Sequence, residues 1–134
     1  RQDTPLCVAL LDIDNFKSIN DRLGHDAGDE ALKHLVQVTR EVMRPQDQLA
    51  RHGGEEFVLV LPDTLLIDGV KAMERLQREL TTRYFLQNRE HLLITFSAGV
   101  AQLEGENGYA DAIRRADQGM YLAKRSGKNR VLAA

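Results

Sequence analysis

A short apolar run near the start of the chain most constrains what it can fold into. Residues 6–13 read LCVALLDI, and the run ends among the carboxylates Asp12 and Asp14. A continuous run of strand-forming residues of this length is typical of a central strand that is buried on both faces. The sequence therefore predicts a sheet with this strand in its interior.

Helical and strand patterns alternate along the rest of the chain. Apolar residues at helical spacing predict helices over 15–23, 31–42, 66–84 and 109–123, and strand-forming runs predict strands over 48–52, 56–61, 94–100 and 129–133. Gly53 and Gly54 lie between two of these strands, where both can adopt positive φ in a hairpin turn. This order predicts one α+β domain over 1–134, a ferredoxin-like sandwich with helices packed over one face of a central mixed sheet.

Charge and cysteine content argue against several classes of protein. Lys and Arg number 18 against 20 Asp and Glu, for a net charge of -2, so no uniform basic field is present to hold a nucleic-acid polymer. The one cysteine, Cys7, can form neither an intrachain disulfide nor a cysteine-based zinc site, which favours a reducing, cytoplasmic location. No run approaches the ~18 apolar residues of a membrane span, so we expect no membrane contact by this domain.

Two carboxylates close the first predicted strand. Asp12 and Asp14 are two residues apart, and side chains at that spacing point to the same side of a strand. Open sheets often bind ligands at such strand ends. An alternative is that Asp14 caps the following helix, which is the commoner role of an isolated Asp-x-Asp.

A second acidic pair lies in the predicted hairpin, which reads RHGGEEF over 51–57. The glycines leave space for backbone amides to approach a phosphate, and the neighbouring carboxylates can reach a hard cation. Exposed glutamates after an ordinary Gly-Gly turn are the alternative. Two acidic sites on neighbouring strands suit a Mg²⁺-assisted phosphoryl or nucleotidyl transfer, in which carboxylates hold the metal.

Three blocks of the sequence together resemble the GGDEF family of diguanylate cyclases. They read LLDIDNFKSINDRLGHDAGDEAL, RHGGEEF and ADQGMYLAKRSGKNRV, and the resemblance covers 6–131. The hairpin is the GGEEF variant of the family motif. The resemblance implies a palm-like nucleotidyl cyclase fold and the condensation of two GTP into cyclic di-GMP with release of two pyrophosphates. It also implies an antiparallel homodimer in which each subunit presents one GTP.

The resemblance assigns the metal and catalytic positions. Asp12 and Glu55 match the family's ligands for Mg²⁺ or Mn²⁺, with help from the carbonyl of Ile13. The acidic residue at Glu55 is also the family's candidate base for the 3′-hydroxyl proton, although activation by the metal makes a dedicated base unnecessary. The resemblance therefore allows Glu55 both roles, as metal ligand and as base.

The substrate-binding positions also follow from the resemblance. Asn20 and Asp29 match the residues that read guanine, and Gly28 is expected to permit a sharp turn into the long helix. Without the family pattern, both polar residues would be assigned to a helix surface. The matches near the triphosphate are Phe16 with the backbone after it, Lys17, Gly53, Gly54, Lys124 and Lys128. Alternatively, the basic residues over 124–130 are a solvated helix end that complements the helix dipole.

Arg44 and Asp47 form an RxxD pattern, and five residues separate it from Gly53. This offset matches the family's inhibitory site for its own product, where Arg44 stacks on or forks to the ligand and Asp47 accepts from a guanine edge. An Arg-Asp pair at a helix end is otherwise usually structural. The fixed offset favours product feedback.

The start of the chain departs from the family pattern. It begins Arg1-Gln2-Asp3-Thr4-Pro5, without an initiator Met and without the DxLTGLxNR-like segment that family members carry before the first strand. We therefore expect a piece of a longer protein with an upstream sensory or receiver module. A membrane anchor in that upstream region is compatible with this expectation.

Two other functions compete with an active cyclase. One is a catalytically idle domain in which Arg44 and Asp47 bind cyclic di-GMP for a partner; such domains normally lose the acidic hairpin residues that this chain keeps. The other is a different nucleotidyl cyclase or a polymerase-like palm enzyme, because metals on carboxylates suit any 3′-hydroxyl attack on an α-phosphate. The near-neutral charge argues against a polymerase.

Overall fold

The computed structural model describes residues 4–134 and contains a five-stranded sheet beside a separate two-stranded hairpin. The elements are β1 (Leu6–Ile13), α1 (Phe16–Leu23), α2 (His25–Val42), β2 (Gln48–Gly53), β3 (Glu56–Pro62), α3 (Leu66–Thr82), β4 (Phe85–Gln87), β5 (Glu90–Leu92), β6 (Phe96–Gln102), α4 (Gly108–Arg125) and β7 (Arg130–Ala133). The large sheet has the order β2-β3-β1-β6-β7, in which β6 and β7 are parallel and the other neighbours antiparallel.

Strand β1 is the middle strand of the large sheet, and it is buried on both faces as the sequence predicts. Its Ala9 and Leu11 pack into a core with α2 and α3, whereas Val8 and Leu10 pack into a second core with α4. The α+β class is therefore confirmed, but the expectation that helices cover only one face is wrong. Both sets of alternating β1 side chains are apolar, so each face needs a helical layer.

The chain after α3 differs most from the prediction. The helix ends at Thr82 instead of continuing to Tyr84, because the backbone of Arg83 is extended, with φ -122° and ψ 101°. In the last turn the hydroxyls of Thr81 and Thr82 donate to the carbonyls of Arg78 and Glu79. The next residues form the β4–β5 hairpin, which the sequence pattern did not predict. Its turn residues Asn88 and Arg89 both have positive φ.

Within residues 4–134, no helix combines the length and the apolar character needed to cross a bilayer.

Candidate active site

Asp12 lies near the end of β1, between the two strands that flank it in the sheet. Its register partners are Glu56 on β3 and Ser97 on β6. Asp12 is only 4% exposed, and its Oδ2 lies 2.7 Å from Nζ of Lys124, a residue of α4. Its Oδ1 is buried and receives no hydrogen bond from any residue of 4–134. Within the described residues, one oxygen of this carboxylate therefore lacks the partner that a buried oxygen ordinarily has.

The electrostatic surroundings of Asp12 oppose its charge. The pKa of Asp12 is raised to about 6, mainly by burial and further by the negative charges of Glu55 and Glu56, against the hydrogen bond and charge of Lys124, which lower it. A further cation bound beside this carboxylate would offset both its burial and its repulsion by the acidic neighbours.

The donor set fits a hard divalent cation. Glu55 is near enough for its negative charge to raise the pKa of Asp12, and the amide of Ile13 donates to the carbonyl of Glu55 over 3.3 Å. Oxygen donors of this kind suit Mg²⁺ or Mn²⁺. In the part of the chain that the structure describes, no three Asp, Glu, His or Cys side chains converge as a metal cluster. The residues present therefore supply an incomplete shell, which water and substrate oxygens must complete.

The hairpin next to Asp12 turns at Gly54 and Glu55. Gly53 still belongs to β2 and pairs with Glu56, and only Gly54 of the two glycines has positive φ, at 51°. The expectation that both glycines adopt positive φ in the turn is therefore wrong. A Cβ built on Gly53 or Gly54 would meet no atom of residues 4–134 within 4 Å. The tip is open, and the side chain of Arg51 holds it by donating from Nε to the Gly54 carbonyl over 2.8 Å.

A cleft of about 590 Å³ opens between the hairpin and α4. Asp12, Glu56 and Lys124 line it, together with Asp117 and Tyr121 of α4. Sequence reasoning singled out neither Asp117 nor Tyr121, which is 56% exposed. The helical spacing of α4 did not reveal this, since Tyr121 adjoins the buried Met120.

Asn20 and Phe16 of α1 lie against Gly28 of α2. A Cβ at Gly28 would stand 2.0 Å from Asn20 Oδ1 and 3.1 Å from Phe16 Cζ, so only glycine leaves room for both side chains. The expectation that Gly28 makes a turn is wrong, because Gly28 lies inside α2 and Gly24, with φ 95°, makes the turn. Asp29 follows Gly28 on α2 and is exposed.

The predicted basic residues do not all meet at one place. Lys124 contacts Asp12, and Lys128 Nζ donates to Asn15 Oδ1 over 2.7 Å at the turn before α1. Lys17 instead points to solvent with its side chain 91% exposed, and it pairs with Asp21 at 3.1 Å. Two of the three lysines thus lie next to the end of β1, and Lys17 does not.

Arg44 and Asp47 are bonded to each other. Arg44 Nη2 lies 2.8 Å from Asp47 Oδ1, and the same nitrogen donates to the Pro62 carbonyl and to Thr64 Oγ1. The hydrogen bond that Arg44 donates to the Asp47 carboxylate raises the pKa of Arg44. Beside the pair lies a cavity of about 510 Å³ whose lining includes further cations that sequence reasoning did not single out: Lys71, Arg75 and Arg78 of α3.

Known proteins are similar to this chain in both sequence and fold. The family model described as "Diguanylate cyclase, GGDEF domain" matches residues 1–130. Diguanylate cyclase DgcP of Pseudomonas aeruginosa is 44% identical over all of this chain, which covers 20% of DgcP. Response regulator PleD of Caulobacter vibrioides is 42% identical over 96% of this chain and 29% of its own length. The chain thus spans less than a third of these curated relatives.

Solved structures give the same result. Diguanylate cyclase SiaD of Pseudomonas aeruginosa, solved with its activator SiaC, superposes with a TM-score of 0.94 at 36% identity, over 100% of this chain and 52% of that chain. The GGDEF domain of DgcB from Caulobacter crescentus, solved with c-di-GMP, gives a TM-score of 0.91 at 34% identity, over 97% of this chain and 78% of that chain. The chain belongs to the GGDEF-domain family of diguanylate cyclases.

Proposed function

We propose that this chain is the catalytic domain of a longer diguanylate cyclase, and that it condenses two GTP into cyclic di-GMP with release of two pyrophosphates. The half-bonded, buried carboxylate of Asp12 beside the GGEEF hairpin carries this proposal. A domain that served only as a structural module would gain nothing from a buried acidic group with an unbonded oxygen. Retention of the acidic hairpin favours catalysis over the idle binding module.

In this proposal Asp12, Glu55 and the Ile13 carbonyl hold Mg²⁺ or Mn²⁺. The bound cation supplies charge neutralisation at the α-phosphate and lowers the pKa of the attacking 3′-hydroxyl. Asp12 is kept in place by β3 and β6 on its two sides and by Lys124 on its second oxygen. In each of the two transfers the 3′-hydroxyl gives its proton to Glu55 or to water, and its oxygen forms a bond to the α-phosphorus. The bond from the α-phosphorus to the bridging oxygen breaks, and that oxygen leaves with pyrophosphate.

Guanine recognition falls to Asn20 and Asp29. An amide can both donate to and accept from one edge of the base, and a carboxylate accepts from the N1 and N2 hydrogens that guanine presents and adenine lacks. The close fit of Asn20 over Gly28 supports this role, because it limits the positions open to the amide.

The triphosphate lies, in this proposal, between the turn at Phe16 and the basic residues of α4 and its following loop. Lys124 and Lys128 stand on either side of the end of β1, and the open tip at Gly53 and Gly54 leaves backbone amides accessible. Lys17, which points to solvent, contributes only after its side chain turns inward from Asp21.

Catalysis requires two copies of the chain, since each active site presents one GTP and the product joins two. PleD is named a response regulator and SiaD was solved with its activator SiaC, which supports an upstream sensory or receiver module that controls the pairing of two copies here too. We place product inhibition at Arg44 and Asp47. The cations beside the adjacent cavity suit the phosphates of cyclic di-GMP.

The test is an incubation of the domain at high concentration with GTP and Mg²⁺, followed by chromatographic separation of the nucleotides. Glu55→Gln is the control, because it removes a charge at the hairpin tip without opening a cavity. We expect cyclic di-GMP from the unmodified chain and a loss of turnover on the order of a thousandfold in Glu55→Gln, with an unchanged unfolding curve. Undiminished turnover in that variant would contradict the proposed site.

A further inference from the structure

Asp14 is a buried carboxylate to which the family pattern gives no role. It is 4% exposed and accepts three hydrogen bonds, from Thr95 Oγ1 at 2.6 Å, Ser97 Oγ at 2.6 Å and the Asn129 amide at 2.9 Å. The alternative that Asp14 caps the following helix is wrong. The N-cap of α1 is Asn15, and the three bonds of Asp14 come instead from Thr95 just before β6, from Ser97 of β6 and from Asn129 in the loop after α4.

The loop that Asp14 holds has an unusual backbone. Lys128 and Asn129 lie between α4 and β7, and their φ values are 64° and 48°, in a region that residues with a side chain rarely adopt. Such a conformation persists only where the surroundings hold it. Here Asp14 Oδ2 accepts from the Asn129 amide, while Gln77 donates to the Asn129 carbonyl from α3.

The same loop reaches back to the start of α1. Lys128 Nζ donates to Asn15 Oδ1 over 2.7 Å, and Asn15 also has positive φ, at 59°. Asp14 therefore stands between two left-handed segments, one that carries Lys128 and one that leads into Phe16. Both segments border the region to which the proposed function assigns the triphosphate.

We propose that Asp14 is a positioning residue, which fixes the Lys128-Asn129 loop and thereby places the Lys128 ammonium for the triphosphate of GTP. The inference rests on the proposed function for the position of the triphosphate. Asp14 itself touches no substrate in this role. It acts through the Asn129 amide, which can only donate and so requires an acceptor at the Oδ2 position.

The chemistry of the three donors predicts which replacements are tolerated. The hydroxyls of Thr95 and Ser97 can rotate to accept as well as donate, whereas the Asn129 amide cannot. Asp14→Asn retains an oxygen for the Asn129 amide and can donate its NH₂ to Ser97. It should therefore keep the loop in place, whereas Asp14→Ala removes every acceptor.

The experiment compares two ligands by calorimetry: a GTP analogue with a methylene group between the α- and β-phosphates, and GMP. For Asp14→Ala we expect the Kd of the analogue to rise about tenfold and that of GMP to change less than about twofold. Asp14→Asn should stay within about threefold of the unmodified chain for the analogue. Ser97→Ala is the matched control, because it removes a bond to the other oxygen of Asp14 and leaves Asn129 held.

A second variant approaches the loop from its exposed side, and it keeps the test decisive if Asp14→Ala does not fold. Asn129→Pro removes the amide that Asp14 accepts from and forbids positive φ at that residue, while Asp14 keeps its bonds to β6. We expect the same selective loss of analogue binding. Hydrogen exchange in the unmodified chain should show a protected Asn129 amide that becomes unprotected in Asp14→Ala.

The outcomes separate this inference from the proposed function. Equal affinity for the analogue in the unmodified chain, Asp14→Ala and Asn129→Pro would overturn the positioning role alone. So would an equal loss of both ligands, or a loss in Ser97→Ala as large as in Asp14→Ala, because each would indicate general damage at the end of β1. No binding of the analogue to the unmodified chain would overturn the proposed function and this inference with it.

Discussion

Two ion pairs in this domain look alike and differ in how completely their carboxylates are bonded. Lys124 and Asp12 are 2.7 Å apart and Arg44 and Asp47 2.8 Å apart, and the two carboxylate side chains are only 6% and 3% exposed. Asp47 accepts at both oxygens, since Oδ2 takes the Arg44 amide and Oδ1 takes the guanidinium. Asp12 accepts at Oδ2 only, and its Oδ1 has no partner within residues 4–134.

This difference separates a carboxylate that is fully bonded within the fold from one that keeps an unbonded oxygen for a ligand. A buried carboxylate costs free energy unless all its oxygens are bonded, so the Arg44 pair meets the requirement of a structural link and the Asp12 pair does not. Arg44 also ties the end of α2 to the Pro62 carbonyl and to Thr64. The comparison predicts that the two sites respond oppositely to mutation.

The largest expected effect is at Asp12. Asp12→Asn should lower turnover on the order of a thousandfold, because it removes a charge from the metal-binding donor set. The same change should leave the free energy of unfolding at pH 7 unchanged or higher. Burial raises the folded-state pKa of Asp12 to about 6, above its ordinary value of 3.8, so the stability that its protonated form contributes is lost as pH rises through 6.

Urea unfolding at pH 7 and the chromatographic assay measure the two effects of Asp12→Asn separately. Lys124→Met is the variant to compare with it, because it removes the cationic partner of Asp12 and leaves the Asp12 carboxylate in place. A clear fall in the unfolding free energy of Asp12→Asn would contradict this comparison, because it would show that the charged form of Asp12 stabilises the fold as Asp47 does.

A smaller effect is expected at Arg44. Arg44→Ala should lower the free energy of unfolding by about 1–2 kcal/mol, a value reduced for solvent screening because the Arg44 side chain is 41% exposed. Relative to its own initial rate, the variant should also need more cyclic di-GMP for half-maximal inhibition. Arg44→Lys keeps the charge and loses the forked hydrogen bonds of the guanidinium. Its unfolding free energy and its inhibitory product concentration should therefore lie between those of Arg44→Ala and of the unmodified chain. Inhibition at an unchanged product concentration would remove Arg44 from the product site.

Much of this fold was predictable because its signals are local. The run LCVALLDI identified β1, and the Gly-Gly pair placed the hairpin within one residue. The β4–β5 hairpin escaped prediction since its strands have three residues each, too few for a period-two pattern. Tyr84 continued the helical spacing of α3, yet it is 54% exposed and follows the helix.

The candidate site was predictable in its residue types but not in its contacts. The family resemblance named Asp12, Glu55 and Lys124, and their roles stay predictions. That Lys124 takes one oxygen of Asp12 depends on α4 crossing that face of the sheet, which the sequence-based expectation of helices on one face did not specify. The contact of Asn20 with Gly28 is likewise tertiary, because it depends on how closely α1 approaches α2.

The smallest effect sharpens the structural half of the comparison. Thr64 is 6% exposed, and its hydroxyl donates to the Pro62 carbonyl over 2.7 Å and accepts from Arg44 over 2.9 Å. Thr64→Val keeps the shape of the side chain and should lower the free energy of unfolding by about 1 kcal/mol or less, because Arg44 retains Asp47. Product inhibition should persist, and Thr64→Ser, which keeps the hydroxyl, should unfold like the unmodified chain. A larger loss in Thr64→Val than in Arg44→Ala would show that the loop before α3, and not the Arg44-Asp47 pair, supplies the stability at this end of the sheet.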